Sequence, residues 1–130
     1  MLPIVALLLI KHAIAVLGLQ GYIKGTKRNY FSRKLFIHSA HHGIGTFLIC
    51  AFFVDFQFAF ILGILDMFLH WQIDFCKTRL VIAYNLNNTQ RKFWWLQAVD
   101  QILHYSTYIL IVGLISWAEA LLVVLQFGMS

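Results

Sequence analysis

The sequence predicts an all-α integral membrane protein: a four-helix bundle, both termini on the outer side, with an apolar extension at the C-terminus. Three observations lead there. Of 130 residues, 61% are hydrophobic and the mean hydropathy is +0.77, against an apolar share of about 45–50% in soluble proteins. Four apolar stretches approach the ~20 residues that a bilayer core requires. The basic residues gather in two of the connections between those stretches, which is how membrane topology is ordinarily written. The chain is long enough for a single transmembrane domain, residues 1–130.

The first span, about Leu2–Lys24, opens the sequence "MLPIVALLLIKHAIAVLGLQGYIKG". It has no basic stretch ahead of its apolar run and no small-residue cleavage site, so it reads as a retained helix rather than a signal peptide. The connection "KGTKRNYFSRK" follows, with Lys24, Lys27, Arg28, Arg33 and Lys34. Span two, about Leu35–Val54, is separated from span three, about Phe56–Leu80, by little more than "VDFQF", which holds an Asp and no base. The third connection carries Lys77, Arg79, Arg91 and Lys92 on its flanks and the polar loop "NLNNTQ". The positive-inside rule places both basic connections in the cytoplasm. Span four, about Phe93–Trp117, meets no breaker before Phe127; a straight helix over that run would measure ~50 Å against a core of ~30 Å. Glu119 marks the expected outer boundary, and "ALLVVLQFGMS" passes beyond it or bends along the interface. Trp71, Trp94, Trp95 and Trp117 include interfacial anchors.

Each span also carries polar residues at helical spacing. In "LDMFLHWQIDFCKTRL" Asp66, His70, Asp74 and Lys77 share one stripe, as spacings of four, four and three require. Span one has His12 and Gln20, eight apart. Span two has His38 and His42, with His41 on an adjoining face and Thr46 a turn beyond. Span four has Asp100 and His104, with Gln97 and Thr107 beside them. Counted inward from the cytoplasmic ends, His42, Asp74 and Asp100 lie ~9–11 Å deep, His70 and His104 ~15–17 Å and His12 ~18 Å, with Gln20, His38 and Lys77 nearer the surface. The four helices thus bring polar groups to one inner-leaflet layer. Single polar residues often serve as hydrogen-bonding glue between helices. Several imidazoles and carboxylates together cost a few kcal/mol each in hydrocarbon unless paired, metal-bound or wet. Ser, Thr or Asn would make simpler glue. Imidazole with carboxylate suits zinc, manganese or iron, so a divalent metal is the expected cofactor.

Lys11 lies off the His12 stripe. Counted from the outer ends, Lys11 and Asp66 both sit ~14 Å deep, so a buried structural ion pair is expected. Lys77, a turn from Asp74, reads equally as a snorkelling anchor or as a group that pairs with Asp74 or holds a phosphate at the mouth of the site. Arg79 reads as a snorkelling anchor. Cys50 and Cys76 read as reduced packing residues, with Cys76 an outlying metal-ligand candidate. Nucleic acid is excluded as a partner, because the bases border a bilayer; membrane lipids and a homo-oligomer or larger membrane assembly are the expected partners.

The segments "HAIAVLGLQ", "HSAHHGIGT", "LHWQIDFCKTRL" and "VDQILHY" resemble, in order and spacing, a family of small bacterial and phage membrane proteins catalogued as domain of unknown function 3307. The resemblance covers roughly residues 8–112. It implies a site on His12 and Gln20; His38 and His42; His70, Asp74 and Lys77; and Asp100, Gln101 and His104. Gln20, His38 and Gln101 would support the ligands, and the location would be the bacterial inner membrane. The family pattern has Asp four residues after the first His, where this chain has Val16.

The leading expectation is a metal-dependent hydrolase at the cytoplasmic leaflet, cleaving a lipid ester or phosphoester. His42, His70, Asp74 and His104 would hold the metal, and His12 would complete the set. Asp100 would ligate it or orient a histidine, and Lys77 would meet the substrate; Asp100 and Lys77 are the catalytic candidates. The alternative is a non-catalytic subunit whose network is structural, and a third is a proton or ion pathway.

Overall fold

The apolar spans become four α-helices in the computed structural model, which describes residues 1–23 and 29–128, apart from the side chains of residues 19–23. α1 covers Leu2–Ile23, α2 Arg33–Cys50, α3 Phe56–Ala83 and α4 Arg91–Gly128, and there is no strand among the described residues. Neighbours run antiparallel in a ring, α1 on α2, α2 on α3, α3 on α4 and α4 back on α1. Among the described residues, α3 and α4 are each long and apolar enough to cross a membrane. The histidines and basic start of α2 keep it below that mark.

The junctions explain the register. α2 ends at Cys50, and the amides of Phe53 and Val54 bond back to its carbonyl at 2.8 and 3.0 Å. Asp55, the acid in the short second connection, then caps α3: its Oδ1 accepts from the Phe58 amide at 3.0 Å, satisfying an orphan donor of the first turn. At the far end of α3 the chain turns through Asn85 at φ 47°, the left-handed conformation that Asn tolerates better than most residues. Asn87 Oδ1 accepts from the Thr89 amide at 3.0 Å, and Trp94 Nε1 donates to the Asn88 carbonyl at 2.8 Å, tying the loop to α4. Just ahead of α2, Tyr30 stacks on Trp71, whose Nε1 donates to the Tyr30 carbonyl at 3.0 Å.

α2 and α3 make the closest pair, and two glycines are the reason. A Cβ on Gly43 would sit 2.6 Å from the Gly63 carbonyl oxygen, and one on Gly63 would sit 2.8 Å from the Gly43 oxygen. Such small-residue contacts let helix backbones approach closely.

The interior is layered. At the end holding the N-terminus, Ile4, Leu8, Leu62, Ile111 and Ile115 form a dry apolar cluster. Toward the basic end the core turns polar. Among the described residues eleven polar or charged side chains are buried against nine hydrophobic ones, whereas Ile14, Leu17, Ile61, Ile102, Ile109 and many like them face outward. That inverts the usual arrangement of a soluble domain.

α4 runs unbroken to Gly128. Its 38 residues make a rod of about 57 Å. Of the two expected courses past Glu119, the chain therefore takes the straight one, and residues 119–128 stand exposed beyond the bundle.

Candidate metal centre

Three polar layers follow one another down the bundle. The first is centred on Lys11. Its Nζ lies 2.7 Å from Asp66 Oδ2, 2.9 Å from Thr46 Oγ1 and 3.2 Å from the His42 carbonyl oxygen. Thr46 also donates to Asp66, and the ammonium stands 4.7 Å above the Tyr108 ring. Both charged groups are nearly solvent-free, and each has its opposite.

The second layer is imidazole. His42 and His70 stack with ring centres 3.6 Å apart, and His70 stacks on His104 at 4.0 Å. His12 leans over them from α1, 5.2 Å from His42 and 5.1 Å from His104. Its ring is braced: Nδ1 is 2.9 Å from Tyr108 Oη and Nε2 is 3.2 Å from Gln101 Oε1. Those partners suit a neutral ring with its proton on Nε2, accepting from the tyrosine. His12 as a ligand would have to release one of them. His70 Nε2 meets His38 Nε2 at 3.1 Å. His70 Nδ1 and both nitrogens of His42 are buried with no hydrogen-bond partner.

The third layer is carboxylate. Asp74 Oδ2 is 3.4 Å from His38 Nε2 and 3.8 Å from His70 Nε2, while its Oδ1 is 3.8 Å from His104 Nε2. Asp100 Oδ2 binds Lys77 Nζ at 2.8 Å and Gln101 Nε2 at 3.1 Å. Its Oδ1 is 3.6 Å from His104 Nε2 and has no hydrogen-bond partner. Lys77 therefore pairs with Asp100 across the α3–α4 contact, not with Asp74 on its own helix. The reason is reach: a long lysine at the bundle's rim extends to the facing helix.

Three sets of side chains bring potential ligand atoms within 4.8 Å of one another: His12, His42 and His70; His38, His70 and Asp74; Asp74, Asp100 and His104. They overlap at His70 and Asp74, so the seven residues form one continuous cluster. The donor set, imidazoles with carboxylates, suits a borderline divalent cation. The orphaned ring nitrogens also call for a partner, since buried polar atoms nearly always have one.

Of the residues marked in the sequence, His12, His38, His42, His70, Asp74, Asp100, Gln101 and His104 converge here, with Lys77 at the edge. Lys11 and Asp66 lie a layer away. The Gln20 side chain is outside the described residues. His41 is exposed and bonded to the Ile37 carbonyl of its own helix, and Cys76 is exposed. Sequence reading missed Tyr108, which is buried between the first two layers. Its signal was present: it follows His104 by four residues and Asp100 by eight, on the same stripe. Val16 lies on the wall of a groove between α1 and α4.

Fold and site together define a class: an all-α bundle, with helices apolar enough for a bilayer, built round a buried histidine–aspartate cluster. The match to a family model fixes the affiliation. Residues 4–127 match the family described as "Protein of unknown function (DUF3307)", and the chain belongs to that family. No curated protein and no solved structure matches it.

Proposed function

We propose that this protein is a multi-pass membrane metalloprotein, with its basic connections in the cytoplasm, that hydrolyses an ester or phosphoester of a membrane lipid. The observation carrying the metal is the set of partnerless buried nitrogens on His42 and His70. Empty of ligands, such a cluster would hold desolvated polar atoms at a cost of about 1–3 kcal/mol each. The inverted burial pattern supports the membrane, because a surface of Ile, Leu and Phe is stable only against lipid or another apolar surface.

His42, His70, His104 and Asp74 would hold the cation. A bound divalent metal would supply a water acidified enough to attack an ester at neutral pH. The chain's own groups do the positioning. His12 is held by Tyr108 and Gln101 against the imidazole stack. Asp100 faces His104 with a free oxygen and is itself fixed by Lys77 and Gln101. Lys77, with a side chain 23% exposed, sits where an anionic head group would arrive.

Elemental analysis of the purified protein tests the reading. We expect stoichiometric zinc, manganese or iron, lost in His42→Ala and His70→Ala. Asp100→Asn should keep fold and metal but lose turnover on lipid esters, as removal of a group acting in the reaction requires. A preparation without metal, repeated from metal-supplemented medium, would sink the proposal.

A further inference from the structure

Asp74 faces two ways. Its Oδ2 lies 3.4 Å from His38 Nε2 and 3.8 Å from His70 Nε2, and its Oδ1 lies 3.8 Å from His104 Nε2. All three separations exceed the roughly 2.7–3.2 Å of an N–H···O bond. They are nearer the edge of a ligand tetrahedron, about 3.3–3.6 Å for bonds of about 2.0–2.2 Å. His38 Nε2 and His70 Nε2 are 3.1 Å apart. With Asp74 Oδ2 they form a triangle whose corners all lie about 2.0 Å from one point, the length of a zinc bond to nitrogen or oxygen.

The other oxygen belongs to a different group. His104 Nε2 has Asp74 Oδ1 at 3.8 Å and Asp100 Oδ1 at 3.6 Å, and the three side chains offer ligand atoms within 4.8 Å of one another. The Asp100 side chain is 2% exposed, and its Oδ1 has no hydrogen-bond partner. Lys77 and Gln101 both occupy Oδ2, which leaves Oδ1 turned toward the imidazole. A carboxylate that only orients a ligating histidine bonds the ring nitrogen away from the metal. Asp74 and Asp100 instead approach the same nitrogen, as two ligands flanking a cation on it do. One cation chelated by both oxygens of Asp74 would leave Asp100 Oδ1 stranded.

We propose that the cluster holds two divalent cations bridged by Asp74, one at His38, His70 and Asp74 Oδ2, the other at Asp74 Oδ1, Asp100 and His104. This rests on the metal reading above and divides its ligands: His70 stays with the first cation, with His42 stacked against it, and His104 passes to the second. Ions sharing a site in this way stand about 3.5–4 Å apart in two-metal hydrolases. Their charge outweighs that of the two carboxylates, and the excess is what acidifies a water between them.

The test uses the full-length protein in detergent, stripped with a chelator and dialysed against Co²⁺. Elemental analysis should find two ions per chain, and electron paramagnetic resonance should show them magnetically coupled. Asp100→Asn should lower the content to one ion and abolish the coupling while helicity is kept, and His38→Ala should do the same from the other side. Should neither variant fold, the parent decides: two uncoupled ions, or one ion at saturating Co²⁺, overturn the bridged pair. Two ions retained in Asp100→Asn would place the second elsewhere and overturn it too. One ion in the parent leaves the metal reading standing, whereas none ends both, so the two failures are told apart.

Discussion

Lys11 shows how one charged residue is made tolerable in the interior of an apolar bundle. Its ammonium has a carboxylate, a hydroxyl, a carbonyl and an aromatic face around it. Gly45 leaves space for its stem: a Cβ there would lie 2.7 Å from the lysine Cδ. Removing one member of such a pair strands the other, at a cost of about 3–5 kcal/mol, whereas replacing both with apolar residues is often neutral. Lys11→Met should therefore lower thermal stability in detergent markedly, and Lys11→Met with Asp66→Leu should recover most of the loss. Equal stability of the single variant and the parent would mean that the pair contributes nothing. The partnership was legible in the sequence because depth along two helices can be counted. Tyr108 was not read, since a tyrosine in an apolar helix resembles packing unless its stripe is followed past His104. The pairing of Lys77 with Asp100 was likewise beyond counting, because a flexible side chain chooses between facing carboxylates by distances that only the assembled helices set.

At the scale of elements, the α2–α3 hairpin is the most closely packed part of the molecule. It carries His38, His42, His70 and Asp74, and its spacing depends on Gly43 and Gly63. Gly43→Val would drive its side chain into the Gly63 carbonyl and Met67, separating the helices and the potential ligand atoms they bring together. Overpacking of this kind costs about 1–3 kcal/mol or more, and metal affinity should fall with it. Gly18 is the control, because a Cβ there meets nothing within 4 Å; Gly18→Ala should be neutral or stabilising by up to about 1 kcal/mol. Thermal melts and metal titration of the two variants check both directions. Helix positions were largely readable, as apolar length and polar connections set them: α3 runs to Ala83 where the pattern predicts Leu80, and α2 stops at Cys50 where it predicts Val54. The second boundary moved because the Cys50 carbonyl closes a turn that lets Asp55 cap the next helix. The fate of the C-terminal run was not readable, since a bend and a continuous helix have the same composition.

For the whole molecule, the distribution of charge makes orientation a measurable matter. Arg33, Lys34, Arg79, Arg91 and Lys92 all lie at the end where α2 and α4 begin and α3 finishes. In a background with Cys50→Ala and Cys76→Ser, a cysteine at Asn88 should react with a membrane-impermeant maleimide only after the cytoplasmic face is opened. A cysteine at Phe52 should react from outside in intact cells. Labelling of both from one side would rule out the four-span arrangement.

The dry cluster of Ile4, Leu8, Leu62, Ile111 and Ile115 has a meaning beyond packing. Ionisable groups occupy the interior from Lys11 to Lys77, and the partnerless nitrogens of His42 and His70 interrupt the hydrogen bonding along that length. Above Lys11 the chain of hydrogen bonds ends against isoleucine and leucine. On the proposed membrane-spanning reading, the polar interior would be a blind well and not a wire. If the bundle spans an energised membrane as proposed, a cell could hold many copies of it without discharging the electrochemical gradient.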